Sequence, residues 1–345
     1  MRLATLLFVS GAAWACGHGT AASSAGDSRV AEPGAAESGV IDGPSPANPA
    51  TSTVDSSAGD ADGDADAAPP YATASGCPLP GLGWTRKVSD HFGTSGNVAT
   101  YADLHAKYYE AQFYNRGANG LVRIPNVTIN QEQQTYSHFE DVIAFYADHL
   151  TIQGRGHPDG AITSGEMVSV YTARSLCVEG RYQIPSAEKS WPALWLYGST
   201  SDDDSSEIDI EQPITQNQGV HDVSMYNHPP STTDGGFPGN VTIIDPQFTT
   251  ADMTWHDPSF DGSAAAHTYT TCYDDMSATI TRCIDGDVIY QAAWKWNASL
   301  GGTGVGSDAC TTFNLAVGGD WPGDVTKASA YSGDLVLYSL DYYGP

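Results

Sequence analysis

The sequence predicts an all-β fold, a β-sandwich or jelly roll, from short alternating segments and the turns between them. Apolar and polar residues alternate with the period of two that places successive side chains on opposite faces of a strand. Residues 168–171, 267–273, 278–284 and 334–342 show this alternation, and turn-forming pairs follow at 285–286, 301–302, 318–319 and 322–323. Only residues 101–113 have a pattern that suggests a helix. Many short strands with such turns are typical of a sandwich or jelly roll.

The first 16 residues read as a secretory signal. Arg2 is followed by an apolar run over residues 3–9, and small residues precede Cys16, as in signals that are cleaved during export. The apolar run is too short to span a bilayer. Cys16 is a candidate site for the lipid anchor of a bacterial lipoprotein, whereas Ala13 and Ala15 also suit ordinary signal-peptidase cleavage. The chain is therefore expected to be secreted or to be an outer-surface lipoprotein.

Residues 17–76 are expected to form a disordered linker. They consist mainly of Ala, Gly, Ser, Pro and Asp, and such a segment buries too little apolar surface to offset its ordering entropy. The acidic run over residues 60–66 lacks the ligand spacing of an EF-hand and is interpreted as linker. Residues 77–345 are then expected to form one domain, of a size that is normal for a β-sandwich.

The net charge of the chain limits its classes of partner. The 345 residues include 41 acidic and 14 basic side chains, and the formal net charge is −27. A surface of this sign repels nucleic acid and anionic lipid and favours neutral or cationic partners. A neutral polysaccharide fits this charge balance, and nucleic acid is not expected as a partner.

Five cysteines follow Cys16, and their number is odd. An exported protein permits disulfides, so one or two bridges and one leftover thiol are expected, with the connectivity left open. Their spacing matches no zinc site. The five are Cys77, Cys177, Cys272, Cys283 and Cys310.

Residues 207–211 carry three carboxylates, separated by Ile208 and Ile210. In a strand this order places Glu207, Asp209 and Glu211 on one face and both isoleucines on the other. Two glutamates so placed can lean towards the separation of about 5–5.5 Å at which retaining glycosidases hold their two carboxylates. Like charges this close favour a protonated form of one acid. A solvated edge strand and a calcium-binding acidic face are the alternatives.

Five further segments accompany these acids: residues 132–136, 178–181, 190–196, 267–286 and 314–323. With the acids, and in this order, they resemble glycoside hydrolase family 16, whose members include laminarinases, lichenases and xyloglucan transglycosylases. Residues 132–136 resemble the E-L-Q-Y-Y segment of the family, residues 178–181 its E-x-R strand, and residues 267–286 its H-x-Y…D-G hairpin. The resemblance covers nearly all of residues 83–343. It implies a jelly roll in which one bent sheet forms a concave groove for several sugar units.

The resemblance implies a role for each of the three acids. Glu207 would be the nucleophile, Glu211 the general acid and then the general base, and Asp209 the residue that bonds the nucleophile. These roles give a double displacement with retention at the anomeric carbon. No cofactor is implied for the chemistry. Asp341 matches an aspartate that binds a structural calcium in many relatives, and a solvated aspartate is the alternative.

The resemblance also implies a set of sugar contacts. Aromatic faces stack on pyranose rings, and polar groups bond their edges. Trp195, in an apolar run, is expected to pack in the core instead, and His267 is expected to be structural. The expected contacts are Trp191 and Trp321 as stacking platforms, Glu179, Arg181 and Asn314 as polar groups, and His221 and Tyr226 on the strand after the acids.

The spacing of the acids departs from the laminarinase pattern. Laminarinase-type members insert one residue to give E-x-D-x-x-E with a β-bulge, whereas this chain has the regular E-x-D-x-E of lichenases and transglycosylases. Gln212 stands where the bulged form has its acid. The segments around Trp191 and Asn314, however, look more like those of laminarinases. This mixture leaves the linkage preference open.

Taken together, the residues and the resemblance predict an exported, monomeric, retaining endo-β-glucanase that hydrolyses β-1,3 or mixed β-1,3-1,4 glucans. A transglycosylase of β-glucans is one alternative, because the regular spacing of the acids is shared with that class. A carbohydrate-binding surface protein without turnover is the other, and the presence of all three acids weighs against it.

Overall fold

The structure is a computed structural model of the chain. It describes residues 72–110, 114–117, 120–123, 131–198, 207–214, 218–228, 240–249, 253–293 and 309–345. Within these residues most of the regular structure is β-strand, arranged in two large sheets. The predicted all-β jelly-roll fold is confirmed. The predicted signal, Cys16 and the linker up to residue 71 lie outside the described residues.

The described residues form 22 strands, two short α-helices and one 3₁₀ turn at Ala328–Ala330. The strands and α-helices are numbered along the chain. The helices are α1 Tyr101–Lys107 and α2 Phe139–Val142. The strands are β1 Thr85–His91, β2 Tyr108–Glu110, β3 Tyr114–Gly117, β4 Gly120–Arg123, β5 Gln134–Tyr136, β6 Ile143–Phe145, β7 Leu150–Gly156, β8 Ile162–Ser164, β9 Glu166–Ala173, β10 Leu176–Gln183, β11 Ser190–Gly198, β12 Glu207–Glu211, β13 Asp222–Ser224, β14 Asn227–His228, β15 Asn240–Ile243, β16 Phe248–Thr249, β17 Thr254–His256, β18 His267–Asp274, β19 Thr279–Ile284, β20 Asp287–Ala293, β21 Ala309–Val317 and β22 Ser332–Gly344.

Two sheets contain all of these strands except the β3–β4 hairpin. The eleven-stranded sheet has the order β15-β20-β19-β18-β10-β22-β7-β8-β5, with β1 beside β22 and β6 beside β7. The nine-stranded sheet has the order β16-β17-β13-β12-β11-β21-β9-β2, with β14 beside β12. Strand β12, which carries the three acids, therefore has neighbours on both sides. The alternative that the acids lie on a solvated edge strand is therefore ruled out.

The main core lies between the two sheets. Tyr182 of β10 stacks on Tyr269 of β18 with ring centroids 4.1 Å apart. It also meets Phe313 of β21, in the other sheet, edge-on at 5.1 Å. Gly180 lets the sheets approach closely, because a Cβ at this position would lie 2.9 Å from Leu194 Cδ2 of β11. Side chains that face inward on both sheets thus form one packed layer.

Of the segment predicted as a helix, residues 101–107 are helical and residues 108–110 form a strand, while residues 111–113 lie outside the described residues. Helix α1 begins with a capping box in which Asp103 N–H donates to Thr100 Oγ1 at 3.2 Å and Thr100 N–H donates to Asp103 Oδ2 at 3.0 Å. It ends at Lys107, and Tyr108 begins strand β2. The buried Tyr108 donates its hydroxyl to Asp90 Oδ2 at 2.7 Å, and this contact favours the strand. No helix among the described residues is long and apolar enough to cross a membrane.

Two disulfides lie in the described residues. Cys177 and Cys272 face each other on the neighbouring strands β10 and β18 and are bonded. Cys77 bonds Cys283 of β19 and so ties the start of the domain to the eleven-stranded sheet. None of the described cysteines is a free thiol, so the expectation of a leftover thiol is wrong for these residues.

Replacing Cys77 and Cys283 by serine together is expected to lower the free energy of unfolding by about 3 kcal/mol. The bridge spans 206 residues of sequence, and its loss frees a long loop in the unfolded chain. Urea unfolding followed by circular dichroism measures the change. Met276→Ser, which changes an exposed side chain, is the control and should leave the midpoint of urea unfolding unchanged. Equal midpoints for the two variants would contradict the prediction.

Candidate active site

Strand β12 separates the acids from the isoleucines. Ile208 and Ile210 are fully buried in the main core. The register between β11 and β12 runs without a shift along the whole of β12, so Asp209 and Glu211 lie on the face turned away from the core. The backbone of Glu207 continues the same alternation, and the side chain of Glu207 lies outside the described residues. We call this side of the nine-stranded sheet the acidic face.

One row of side chains crosses the acidic face at Glu211. Glu211 lies opposite Ser224 of β13 on one side and Ala193 of β11 on the other. Ala193 lies opposite Asn314 of β21, and Asn314 lies opposite Glu166 of β9. Glu211 is partly exposed, whereas Asn314 and Glu166 are buried. The structure thus brings the predicted residues Glu211 and Asn314 into one row.

A second row crosses the same face at Asp209. Asp209 is buried and lies opposite Trp195, which in turn lies opposite Thr312 of β21. On the other side, Asp209 N–H donates to the Tyr226 carbonyl at 2.9 Å. Trp195 Nε1–H donates to Asn314 Oδ1 at 3.0 Å and so links the two rows.

Trp195 therefore lies on the acidic face and not in the main core, where it was expected. Leu194 and Leu196, on either side of it, are the residues that enter the core. The partly buried indole packs instead on the small cluster of Val168 and Cys310. The apolar run of β11 hid this alternation, because both faces of the strand carry apolar side chains.

Tyr136 extends the hydrogen-bonded chain from Trp195 and Asn314. Asn314 Nδ2–H donates to the Tyr136 hydroxyl oxygen at 2.7 Å. Burial, together with the charges of Glu166 and Glu132, holds the pKa of the Tyr136 phenol well above its ordinary value. The phenol therefore stays neutral across the physiological pH range and keeps its hydrogen bond with Asn314.

Three aromatic rings meet beside the two rows. Trp321 lies edge-on to Trp191 with centroids 5.5 Å apart and edge-on to Tyr226 at 5.1 Å. Trp321 and Tyr226 are partly exposed, whereas Trp191 is 7% exposed. The predicted residues Trp191, Trp321 and Tyr226 thus form one cluster, in which Trp321 contacts both of the other rings.

The turn after β21 places Trp321. Gly318 and Gly319 have φ of 69° and 103°, in the left-handed region that glycine adopts most readily. A Cβ on Gly318 would lie 2.3 Å from Gln133 Oε1, and Val317 N–H donates to Gln134 Oε1 at 2.7 Å. The segments 132–136 and 314–323 therefore contact each other at the end of β21.

Arg282 reaches the acidic strand through the core and was missed in the sequence analysis. It lies on β19 of the other sheet and is fully buried. Its Nη1–H donates to Thr271 Oγ1 at 2.7 Å and its Nη2–H to the Tyr226 carbonyl at 2.9 Å. The same carbonyl accepts the N–H of Asp209. The sequence does contain an indication of this position. Arg282 lies two residues from both Ile280 and Ile284 in β19, so its side chain is on the same, core-facing side of the strand.

Glu179 and Arg181 lie in the eleven-stranded sheet, and the structure does not bring them to the acidic face. Val178 and Tyr182 of β10 enter the core, so the odd positions point away from it. The buried Glu179 accepts hydrogen bonds from Ser75 Oγ at 2.6 Å and Thr270 Oγ1 at 3.3 Å. The Arg181 guanidinium is exposed and lies 4.5 Å from the Tyr338 ring centroid. These two residues were predicted to line the groove. The structure instead places them on the outer face of the eleven-stranded sheet, because their positions in β10 alternate with the core residues.

His221 also lies away from the acidic face. Val223, two residues later, enters the core, and the His221 ring bonds the Phe260 carbonyl through Nδ1. The predicted substrate contact is corrected, because this hydrogen bond attaches His221 to the loop before β18. His267 pairs through Nδ1 with Asp285 Oδ2 at 2.7 Å, a contact that agrees with the structural role expected for it.

Asp341, the predicted calcium ligand, is buried opposite Glu179 on the outer side of the eleven-stranded sheet. Its Oδ1 lies 3.6 Å from Arg86 Nη1. Glu179 is already bonded to Ser75 and Thr270. As arranged, this donor set fits the arginine better than a calcium ion, which would need more oxygen ligands. The calcium site stays a prediction.

Ala74 and Ser75 contact the domain although the sequence analysis places them in the linker. Ala74 N–H donates to the Tyr343 hydroxyl at 3.0 Å, and the Ser75 hydroxyl donates to Glu179. Ordered contacts thus begin before Cys77.

Arg282→Met is expected to lower the free energy of unfolding by about 1–3 kcal/mol, because Thr271 Oγ1 loses the Arg282 donor and the Tyr226 carbonyl keeps the Asp209 N–H but loses that of Arg282. It should also change the near-ultraviolet circular dichroism of the aromatic cluster, because the backbone of Tyr226 loses its hydrogen bond from the other sheet. The matched control is Arg174→Met, which removes an exposed arginine paired with Asp275 at 2.5 Å and should cost less than about 0.5 kcal/mol. Equal stability of the two variants would exclude this role for Arg282.

Comparison with known proteins finds similarity in structure alone. No protein-family model matches the sequence, and no curated protein matches it. The endo-1,3-β-glucanase of Streptomyces sioyaensis aligns with a TM-score of 0.56 at 20% identity, over 77% of this chain and 98% of that chain. The laminarinase catalytic domain of Thermotoga maritima MSB8 aligns with a TM-score of 0.54 at 19% identity, over 76% and 98%.

A third solved structure is described by its family. SCLam, a non-specific endo-β-1,3(4)-glucanase from family GH16, aligns with a TM-score of 0.53 at 17% identity, over 76% of this chain and 92% of that chain. At these identities the alignments show the fold. The chain therefore has the all-β jelly-roll fold of the family 16 glycoside hydrolases.

Proposed function

We propose that the chain is a retaining endo-β-glucanase that hydrolyses β-1,3 or mixed β-1,3-1,4 glucans. The observation that carries the proposal is the acidic face, where Asp209 and Glu211 share rows with Trp195 and Asn314. The solved structures with the same fold, an endo-1,3-β-glucanase, a laminarinase and an endo-β-1,3(4)-glucanase, support it.

The three acids have different roles in the two chemical steps. Glu207 attacks the anomeric carbon while Glu211 protonates the departing glycosidic oxygen, so a covalent glycosyl-enzyme forms. Glu211 then removes a proton from water, which attacks the same carbon and releases the sugar with retained configuration. The partial exposure of Glu211 suits a group that meets both substrate and water. Asp209, buried between the two glutamates, orients the nucleophile.

The aromatic residues of the acidic face supply the sugar contacts. Trp321 and Tyr226 are partly exposed and can present ring surface to pyranose rings. Trp191 is too buried to offer a face and holds Trp321 in place through their edge-on contact. Asn314 orients Trp195 through its side-chain oxygen.

A β-glucan transglycosylase is the second candidate function. The unshifted register from Glu207 to Glu211 favours it, because the regular spacing of the acids resembles that of the transglycosylases of the family. The covalent step is the same, and another glycan replaces water as the acceptor. Products longer than the starting oligosaccharide would appear only with transfer.

We infer that the chain acts outside the cytoplasm. The signal-like residues 1–16 and the disulfides Cys77–Cys283 and Cys177–Cys272 support export. The mass of the mature N-terminus distinguishes a lipid-modified Cys16 from an unmodified secreted chain.

The wild-type chain is expected to release reducing ends from laminarin or from barley β-glucan. Glu207→Ala and Glu211→Ala should each lower kcat by about 10³-fold or more, since each removes a group that acts in the transition state. Asp148→Asn removes an exposed carboxylate with a 73% exposed side chain in another part of the fold and should leave kcat unchanged.

Proton NMR of the first products should show the β-anomer, as retention requires. Intact polymers after incubation with the folded wild type, or undiminished activity of Glu211→Ala, would overturn the proposal. Binding of laminarin without any product would instead favour the carbohydrate-binding alternative.

A further inference from the structure

A cluster of histidines and glutamates lies where α1, β2 and α2 meet, away from the acidic face. His105 Nε2 lies 3.0 Å from Glu140 Oε1 and 3.8 Å from Glu110 Oε1. The donor atoms of these three residues all lie within 4.8 Å of one another. The three residues come from three different elements, so the fold itself assembles the cluster.

We propose that His105, Glu110 and Glu140 bind a Zn²⁺ ion. A tetrahedral zinc ion with bonds of about 2.0–2.2 Å needs donor atoms about 3.3–3.6 Å apart. The two separations from His105 Nε2, 3.0 Å to Glu140 Oε1 and 3.8 Å to Glu110 Oε1, lie on either side of that range. An imidazole ligand favours zinc over calcium or magnesium, which prefer oxygen donors. Water would complete the coordination.

The surroundings of Glu110 support a ligand role. His138 Nδ1 lies 2.8 Å from Glu110 Oε2, and Phe139 N–H donates to Glu110 Oε1 at 3.0 Å. Carboxylates that bind metals are commonly held by such outer hydrogen bonds. His105 is also oriented, because its ring packs against Phe139 with centroids 5.1 Å apart. His138 is therefore a positioning residue of the site.

The proposed ion would connect the two sheets at one edge. Glu110 ends β2, the last strand of the nine-stranded sheet, whereas Glu140 lies in α2, which leads directly into β6 of the eleven-stranded sheet. Strand β2 is four strand positions from β12, roughly 19 Å at the usual strand spacing. This distance points to a structural ion that stabilises the fold and takes no part in the chemistry at Glu211.

Isothermal titration of the full chain, without a polyhistidine tag, with ZnCl₂ tests the proposal. One Zn²⁺ should bind per chain, and a 100-fold excess over Kd should raise Tm by about 3–6 °C. His105→Gln and Glu140→Gln should each weaken binding at least 10-fold, and His138→Gln about 10-fold, as for other outer-shell residues. CaCl₂ and MgCl₂ should give no comparable shift in Tm.

Asp148→Asn is the matched control. It disrupts another exposed histidine–carboxylate pair, His149 Nδ1 to Asp148 Oδ1 at 2.8 Å, and should keep the wild-type affinity for Zn²⁺. The proposal is overturned if the chain shows no saturable binding, if a folded His105→Gln/Glu140→Gln double variant binds as tightly as the wild type, or if Ca²⁺ binds equally well. All of these readouts are independent of glucanase activity.

Discussion

Burial of Ile208 and Ile210 between the sheets is the constraint on which the candidate active site depends. Each fully buried isoleucine stabilises the fold by roughly 1.5–3 kcal/mol. A slip of β12 by one residue would exchange the two faces, removing both isoleucines from the apolar core and turning all three carboxylates into it. Because a buried carboxylate without a partner is costly, the alternative register is excluded. Burial of the two isoleucines thus determines the face of the sheet on which the acids lie.

The remaining groups of the site are aligned by strands that pair with β12 directly or through β11. Because these strands pair without a shift in register, Glu211, Ala193 and Asn314 lie in one line across the sheet. Asn314 then forms side-chain hydrogen bonds with Trp195 and Tyr136. Arg282 adds a connection from the opposite sheet to the Tyr226 carbonyl. The desolvation of a buried guanidinium is offset only when such acceptors are in place. The two sheets are therefore coupled at the acidic strand by a polar contact as well as by packing.

The fold class and the acidic face could be predicted from the sequence because alternation with period two is a local property. The side of the sandwich on which a strand lies is not local. Glu179 and Arg181 alternate as regularly as the acids of β12, yet they belong to the other sheet and point outward. Nothing near them in sequence indicates this, since it follows from the pairing of β10 with β18 and β22. His105 and Glu140 meet for the same reason, although 35 residues separate them.

The position of Gln212 bears on the linkage preference. In a bulged strand the extra residue would bring position 212 towards the acidic face. Here Gln212 is buried, and its side chain donates to the Asp222 carbonyl at 3.3 Å. A carboxamide is not a general acid, so the proposed mechanism assigns the proton transfer at this end of the strand to Glu211. With the acids held in a regular strand, differences in linkage preference must arise from the groups around them. Under the proposed function, Trp321 is the partly exposed aromatic ring through which this preference would be set. Its own glycine turn places it, and its edge-on contacts with Trp191 and Tyr226 fix it relative to the acids.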